Sequence, residues 1–209
     1  MYFTDEPASV MSAPVNTKRQ NPRRREILEA TLRVIGDSGV NSVTHRAVAR
    51  EADVALASTT YYFDSKSALV EEALELIVAR SIEYVRRYTT APAEISHAEL
   101  IDRVVGFADA QINDPSAFLT AQYELMLEAG RAEYLRPLAR RWTIAYMDGF
   151  NRVVESAGLP RPELAAEIIT NFVEGALLDH VMTPSPNFLE GRFRPLLADL
   201  VAALDGEPS

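Results

Sequence analysis

The chain contains no cysteine, and this absence excludes disulfide bonds, thiol nucleophiles and thiolate metal sites. Only three histidines occur, far apart in the sequence, so we predict no metal site. No stretch approaches about 18 consecutive apolar residues, the length of a transmembrane helix. Residues 1–16 lack the basic start and apolar core of a secretion signal. We therefore expect a soluble protein of the cytoplasm.

Alternation of polar and β-branched residues, which is typical of β-strands, is nearly absent as well. The 12 prolines and 9 glycines fall mostly where amphipathic helical patterns end. A chain of 209 residues, 47% of them hydrophobic, can form one small and one medium core, or a single continuous helical core. The sequence therefore predicts an all-α protein.

Motifs that would support catalysis are missing too. The sequence contains no glycine-rich phosphate loop and no nucleophile motif with a histidine. Glu71 and Glu72 are adjacent, so on a helix they face apart and cannot act as a catalytic pair. We therefore predict that the protein is not an enzyme and uses no cofactor.

The net charge of −9 argues at first against a nucleic-acid partner. The charge is unevenly distributed, however. Residues 18–66 carry nine Lys and Arg against six Asp and Glu, a formal charge of +3, whereas residues 67–209 carry −10. A basic end on an acidic body suits a protein that touches DNA with one face only.

The most informative stretch is residues 43–66, VTHRAVAREADVALASTTYYFDSK. Thr44 can cap a short helix, because its hydroxyl can accept hydrogen bonds from the amides of the first turn. Asp53 stands at a tight turn, where a short polar side chain tolerates left-handed backbone. The next segment, residues 56–63, is rich in hydroxyl groups and makes a poor core helix. The pattern predicts a helix-turn-helix with an exposed second helix.

This second helix carries side chains that suit the major groove of DNA. Its leading residues are small enough to approach base edges, and its tyrosines and the following lysine are placed for phosphates. The amino end of the first helix suits a phosphate oxygen, and Arg46 could reach either a base or the backbone. The predicted DNA-binding residues are Thr44, Arg46, Ala57, Ser58, Thr59, Thr60, Tyr61, Tyr62 and Lys66.

The stretch resembles the DNA-binding signature of the tetracycline-repressor family of bacterial transcriptional regulators. In that family a threonine opens the second helix, a short turn follows, and the recognition helix ends in aromatic residues before a Ser-Lys pair. The matching features here are Thr44, residues 52–55, Tyr61-Tyr62-Phe63 and Ser65-Lys66, within a similarity that spans about residues 22–75. Three positions depart from the family. Asp53 stands where the family commonly has Gly, Ala55 where it has Ser or Pro, and Thr60 where it has Tyr.

The resemblance implies a homodimer that binds a palindromic operator on double-stranded DNA and leaves it when a small molecule binds. We accordingly expect a flexible N-terminal arm at residues 1–20, a three-helix DNA-binding domain at 21–66, and a six-helix ligand-binding and dimerisation domain at 67–209. Basic residues from Lys18 to Arg25 could follow a phosphate backbone or a minor groove. The prediction is a ligand-released repressor, with activation left open.

Caps and prolines mark the helix boundaries along the rest of the chain. Asn21-Pro22 opens the first helix and Gly39 ends it. A long fourth helix begins at Ser65 and is apolar on two sides, so we expect it to contact both head and body. Later helices are predicted to begin at Ser96, Asp114-Pro115, Pro137, Pro162 and Phe188, and the last of them to end near Leu204.

Helices five to eight carry more aromatic and sulfur side chains than a tight bundle needs. An apolar cavity with a few polar groups would suit a hydrophobic or aromatic small molecule. The predicted ligand-binding residues are Phe107, Tyr123, Met126, Trp142, Tyr146, Phe150, Phe172 and His180.

Helices eight and nine are predicted to form the dimer interface, because small residues on helix eight would let the backbones of two protomers approach closely. The residues of helix eight that we expect to point inward are Leu164, Ile168, Phe172, Gly175, Ala176 and Leu178. An alternative is a helical scaffold that binds another protein through these two helices. Salt-dependent and sequence-selective binding to duplex DNA would separate the two possibilities.

Overall fold

The structure, a computed structural model, describes residues 21–115 and 117–206. The predicted N-terminal arm at residues 1–20 lies outside the described residues. Within the described ranges the chain is helical and contains no strand, so the all-α prediction is confirmed. No helix in this part of the chain is both long enough and apolar enough to cross a membrane.

Nine α-helices follow one another in the described residues, with two short 3-10 turns and one π-helical turn between them. The α-helices are α1 Pro22–Ser38, α2 His45–Glu51, α3 Leu56–Tyr62, α4 Lys66–Thr89, α5 His97–Ile112, α6 Phe118–Arg131, α7 Arg136–Ser156, α8 Pro162–Met182 and α9 Arg194–Asp205. The 3-10 turns are Val40–Ser42 and Glu133–Leu135, and the π-helical turn is Leu189–Phe193.

Side-chain caps fix the starts of four helices, as predicted. The oxygens of Asn21, Thr44, Ser65 and Ser96 each accept a hydrogen bond from a backbone amide in the following turn, at 2.9–3.2 Å. Each cap satisfies an amide that has no partner inside its own helix. Gly39 ends α1 with a φ of 78°, a conformation that favours glycine.

The predicted start of the sixth helix at Asp114-Pro115 is wrong. Helix α6 begins at Phe118, after Ala117 in the left-handed conformation with a φ of 53°. The Asp114 carboxylate is engaged by the Arg80 guanidinium instead, at 3.1 and 3.2 Å. Because its oxygens face α4, Asp114 does not cap the next helix.

The last helix also differs from its predicted start at Phe188. A π-helical turn, Leu189–Phe193, precedes the regular α9. Pro195 follows at the second position of α9 and has no amide hydrogen to donate into the preceding turn. We attribute the wider turn to this missing hydrogen bond.

Two apolar clusters form the core of the described residues. The first, which we call the head cluster, contains residues of α1, α2 and the first half of α4, from Leu69 to Val78, together with the inner face of α6. The other contains α5, α7, α8 and α9, and Val85 from the end of α4 joins it. Helix α4 therefore contacts both head and body, as predicted. The domain boundary at residues 66 and 67 stays a prediction, because α4 belongs to both clusters.

The inward face of α8 agrees only partly with the predicted one. Ile168, Phe172 and Ala176 are half-buried against the body core, as expected, but the other three residues are not. Leu164 and Leu178 are each 41% exposed, and Gly175 is exposed as well. The fully buried residues lie one position away from several of the expected ones and are Ala165, Ala166, Ile169, Thr170, Val173 and Leu177. The helix is apolar on both sides, so its sequence period alone does not identify the side that packs on its own chain.

Candidate functional site

The helix-turn-helix predicted at residues 43–66 is present, with α2 and α3 joined by a tight turn. Asp53 occupies the turn with a φ of 52°, in the left-handed region, as predicted. The Val54 amide donates to the Ala49 carbonyl at 3.0 Å, which closes the turn over the end of α2. This geometry fixes the angle between the two short helices.

Ion pairs hold the two short helices on their support. The Arg33 guanidinium of α1 contacts the Glu51 carboxylate at the end of α2, at 2.6 Å. Arg24 pairs with Glu72 of α4 and also lies over the ring of Phe63, 5.0 Å from its centre. The arginines near the start of the chain therefore include at least two that brace the fold.

Helix α3 presents one face to solvent and the other to the core. Phe63, which follows the helix, is 1% exposed and anchors it among the residues of the head cluster. Ala57, Thr60 and Tyr61 are exposed on the opposite side, Tyr61 with 66% of its surface. Their spacing of three and four places them on a single face of the helix. The short exposed helix therefore presents small and aromatic side chains together.

The prediction that Thr59 contacts DNA is wrong. Its side chain is 0% exposed, and its hydroxyl donates to the Leu56 carbonyl at 2.8 Å. The same hydroxyl lies 3.5 Å from the His45 carbonyl at the start of α2. Thr59 faces α2 because it lies four residues before Phe63, on the side of α3 that packs inward. It positions the recognition helix and is not available to a base.

The other predicted DNA-binding residues lie at or near the surface. Thr44 and Arg46 are exposed at the start of α2, although the Thr44 hydroxyl also caps that helix. Ser58 is half-buried, and so is Tyr62, whose ring meets the Tyr61 ring edge-on at 5.0 Å between centres. The Lys66 ammonium is exposed and donates to the Asn41 carbonyl at 3.1 Å.

Leu56 belongs to the same surface and was missed from the sequence. It is 45% exposed at the first position of α3. Its apolar side chain suggested a core position, whereas its place in the first turn leaves it without a preceding turn to cover it. A contact to a thymine methyl group would suit such a side chain.

A polar network on α4 connects the head to the body. The Arg80 guanidinium contacts the Glu29 carboxylate of α1 at 2.5 Å and both Asp114 oxygens at 3.1 and 3.2 Å. The Tyr84 hydroxyl donates to the same Asp114 carboxylate at 2.6 Å. Burial, and next the hydrogen bond to Asp114, raise the pKa of the Tyr84 hydroxyl. Arg80 also lies 5.6 Å from the centre of the Phe118 ring.

The body contains a compact aromatic cluster formed by five of the predicted ligand-binding residues. Phe107, Tyr146 and Phe150 are at most 2% exposed, and their ring centres lie 5.2–5.4 Å apart. The Trp142 ring lies 4.9 Å from that of Tyr146. Tyr123 packs against the same cluster from α6. The structure therefore brings together residues that lie far apart in the sequence.

Polar groups are enclosed beside these rings. The Tyr123 hydroxyl lies 3.0 Å from the Glu174 carbonyl and 3.2 Å from the carboxylate of the same residue. Burial, and next the Glu174 charge, raise the pKa values of the Tyr123 and Tyr146 hydroxyls. Burial likewise raises the pKa of the Glu174 carboxyl, against the opposing effect of the two tyrosine hydroxyls. Glu174 was not among the predicted residues, because a glutamate on α8 resembles any surface charge in sequence.

The remaining predicted ligand-binding residues lie outside this cluster. Met126 packs against the head cluster, and Phe172 contacts the ring of Phe193 at 5.3 Å between centres. His180 stacks on Phe188 at 4.4 Å and lines a cavity of about 200 Å³ between α5, α6 and the end of α8. His180 therefore borders an opening, whereas the aromatic cluster is closed.

Residues that could hold a metal ion do not gather in the part of the chain that the structure describes: no group of three or more His, Asp or Glu has the required arrangement. The spacing of Glu94 and His97 resembles a helical metal-binding pair, but Glu94 precedes the start of α5 and is exposed. The two residues are therefore not on one helical face.

Two family models match this chain. The model described as "Bacterial regulatory proteins, tetR family" matches residues 27–73, which include the helix-turn-helix. The model described as "Tetracyclin repressor-like, C-terminal domain" matches residues 96–204, more than half of the chain. The resemblance to the tetracycline-repressor family seen in the sequence is thereby confirmed.

Individual proteins agree with these models. The HTH-type transcriptional regulator BetI of Cronobacter sakazakii is 29% identical over 80% of this chain and 84% of its own. The nicotine-responsive transcriptional repressor HdnoR of Paenarthrobacter nicotinovorans is 24% identical over 87% of this chain and 93% of its own. The solved structure of the multidrug binding protein EbrR with malachite green is 28% identical, covers 86% of this chain and 98% of its own, and has a TM-score of 0.61. This chain belongs to the tetracycline-repressor (TetR) family and is a DNA-binding transcriptional regulator.

Proposed function

We propose that the protein is a repressor that binds a palindromic operator as a homodimer and leaves it when a small molecule enters the body. The observation that carries the proposal is the bridge made by Arg80, which joins Glu29 of α1 to Asp114 at the end of α5. Glu29 belongs to the DNA-binding head, and Asp114 lines the cavity of about 200 Å³. A ligand beside Asp114 can therefore act on the head through a single side chain.

On the DNA side, exposure divides the predicted contacts by role. Ala57, Thr60 and Leu56 are placed to approach base edges, because they are exposed on a helix narrow enough for the major groove. Tyr61 and Lys66 flank that face, and we assign them to phosphates. Thr44 and Arg46, at the start of α2, are placed for a second phosphate contact. Ser58 and Tyr62 are half-buried, and we assign them to the edge of the DNA-binding surface.

Pairing of two copies is supported by an unpaired stripe on α8. Leu164, Ile168, Gly175, Leu178 and Met182 recur at helical spacing, and Leu178 and Met182 are 41% and 68% exposed. Among the described residues, no atom outside the neighbouring backbone of α8 lies within 4 Å of the position that a Cβ on Gly175 would occupy. A second helix could therefore approach the backbone closely at that point. Leu196 of α9, 47% exposed, would extend the same interface.

Binding of a small molecule is supported by the enclosed cluster and by the relatives. HdnoR is named as nicotine-responsive, and EbrR was solved with malachite green. We assign the equivalent role here to Phe107, Tyr123, Trp142, Tyr146 and Phe150, which meet between α5, α6 and α7. His180 at the cavity would border the entrance, and Met126 and Phe172 would act only from outside the cluster.

Release of DNA would follow from a shift of α4. A ligand that displaces Asp114 or Phe118 changes the position of Arg80, and Arg80 transmits the change to α1 through Glu29. A tilt of the head then alters the distance between the two recognition helices of the dimer, so that they no longer fit successive major grooves. The ligand thereby lowers operator affinity.

The experiment begins with selection of bound sequences from random duplexes, which we expect to yield a palindrome occupied by two protomers. Gly175→Leu should then shift the protein to monomers in light scattering and weaken operator binding. Gly130→Leu is the matched control. Gly130 also lies in a helix, and within the described ranges no atom beyond the adjacent helix backbone lies within 4 Å of the position that its Cβ would take. A non-palindromic site bound by one protomer, or equal effects of both substitutions, would contradict the dimer.

A further inference from the structure

Unsatisfied polar atoms gather in the body where α5, α7 and α8 meet. Gln111 is 1% exposed, and among the described residues its side-chain amide faces the Tyr146 hydroxyl but makes no hydrogen bond of good geometry. In the described part of the chain the Trp142 Nε1 is enclosed without a partner, and the Tyr146 hydroxyl and the Glu174 Oε1 lie near each other without a hydrogen bond of good geometry. Buried polar groups without partners are costly, so a native protein rarely keeps several in one place. A cluster of this kind indicates a site that a ligand completes.

The charge of this site is unbalanced. Glu174 is enclosed beside Tyr123 and Tyr146, and both of its neighbours are neutral phenols. No Lys, Arg or His among residues 21–115 and 117–206 forms an ion pair with Glu174. An enclosed carboxylate without a cation is costly as an anion, and burial accordingly raises the pKa of Glu174. A positive ligand would remove that cost.

The walls of the site are aromatic. The rings of Trp142 and Tyr146 are 4.9 Å apart, and Phe107 lies 5.4 Å beyond Tyr146. The faces of indole and phenol rings carry partial negative charge and attract cations. The carboxylate and the rings thus favour the same type of ligand.

A cavity leads to this site. Gln111 lines the cavity of about 200 Å³ together with Leu119 and His180, and the Gln111 amide also faces the Tyr146 hydroxyl. Rotation of Gln111 would join that cavity to the enclosed carboxylate. Such a rotation would exchange the contact between the Gln111 amide and the Tyr146 hydroxyl for contacts to a ligand.

We propose that the effector is an organic cation, an amine or quaternary ammonium compound with an aromatic ring, whose charge is held by Glu174 and by the faces of Trp142 and Tyr146. The inference rests on the proposed function for the idea that a small molecule enters the body. It adds the chemical class of that molecule and names Glu174 as its counter-ion. The acidic body, with a formal charge of −10 over residues 67–209, also raises the local concentration of cations.

The test uses two probes of the same shape and different charge, phenyltrimethylammonium and tert-butylbenzene. Binding is measured by the fluorescence of Trp142, the only tryptophan, and by calorimetry. The cation should bind the full-length protein about tenfold or more tightly than the neutral probe, the effect expected of a desolvated charge contact. Equal affinities, preference for the neutral probe, or no binding of either would overturn the proposal.

Glu174→Gln removes the charge with little change of shape and keeps an acceptor for the Tyr123 hydroxyl. It should weaken the cation by about tenfold and leave the neutral probe unchanged. Glu167→Gln, an exposed carboxylate on the same helix, is the matched control and should change neither affinity. Equal cation affinity of the Glu174→Gln and wild-type proteins would overturn the role of Glu174. If Glu174→Gln does not fold, the preference of the wild-type protein between the probes still decides.

Operator binding in the same samples separates this inference from the proposed function. If phenyltrimethylammonium binds through Glu174 but does not weaken operator binding, the cation site stands and ligand release fails. If a neutral compound releases the operator and the cation does not bind, ligand release stands and the cation site fails.

Discussion

The head and the body of this protein treat their polar groups in opposite ways. In the head, the Thr44 and Thr59 hydroxyls and the Arg33 guanidinium each have a partner within the chain, and exposed residues cover one face of α3. In the body, Gln111 and Glu174 keep buried atoms without partners. In the described part of the head one such atom occurs, the Nδ1 of His45, whereas the body contains several.

This difference indicates how DNA would bind to the head and how a small molecule would bind to the body. DNA meets a surface that already has its shape, so affinity depends on charge and on side chains of α3. A small molecule in the body would instead supply missing hydrogen bonds and charge, and its binding would stabilise the body more than the head. Arg80 lies between the two regions and connects them.

The largest effect on stability is expected when the ion pairs of Arg80 with Glu29 and Asp114 are removed. Arg80→Ala removes the guanidinium that lies between the Asp114 and Glu29 carboxylates, and Asp114 has a side chain only 7% exposed. We expect a loss of about 3 kcal/mol in the free energy of unfolding, measured by urea denaturation. Arg86→Ala, which removes an exposed arginine of the same helix, should have little effect. Equal losses in both variants would contradict the bridge.

Two neighbouring threonines sharpen the contrast between the inner and outer faces of α3. Thr59→Val removes a buried hydroxyl that donates to Leu56, and should cost about 1 kcal/mol of stability. Thr60→Val changes an exposed side chain, so it should leave stability unchanged and alter the preference among operator sequences. Urea denaturation and binding to a panel of duplexes measure the two effects. A change of sequence preference from Thr59→Val without loss of stability would contradict the inward position of Thr59.

The enclosed carboxylate predicts a pH dependence. Because the pKa of Glu174 is raised in the folded protein, the native state retains this proton after the unfolded state has lost it. As pH rises from the ordinary value of 4.5 through the raised pKa, the free energy of unfolding should therefore fall relative to that of Glu174→Gln. Urea denaturation of both proteins over this range measures the difference. A difference that grows in favour of the wild-type protein would contradict the burial of Glu174.

The smallest effect is expected at Lys66. Its ammonium is exposed beside α3, so Lys66→Ala should weaken binding to all duplexes alike and lower the salt slope of log affinity by about one. Titrations at several salt concentrations measure the slope. An unchanged slope would remove Lys66 from the phosphate contacts and leave it as the partner of the Asn41 carbonyl.

Most helix boundaries could be predicted from the sequence because caps and prolines act locally. Thr44, Asp53 and Ser96 each meet the requirement of a neighbouring turn, and each is where it was expected. Asp114 was misassigned because its carboxylate is taken by Arg80, 34 residues earlier in the chain. A local rule has no information about such a competitor.

The sequence predicted the kind of each candidate site, but not which side chains are exposed or enclosed there. A hydroxyl-rich helix indicates DNA contact, but the burial of Thr59 depends on how α3 rotates against α2. On α8 both sides are apolar, so the sequence period did not show that Leu164 and Leu178 face outward. Glu174 could not be identified, because only the fold encloses it between the tyrosines of α6 and α7.

The most direct test of DNA binding by α3 is a fluorescence anisotropy titration of the selected operator duplex with two variants, each of which replaces an alanine with a glutamate. Ala57→Glu places bulk and negative charge on the exposed face of α3, whereas Ala98→Glu makes the same change at an exposed position of α5. We predict that Ala57→Glu lowers operator affinity by about tenfold or more, as repulsion from phosphates requires, and that Ala98→Glu binds like the wild-type protein. Wild-type affinity in Ala57→Glu, with both variants folded, would show that α3 is not the surface that reads DNA.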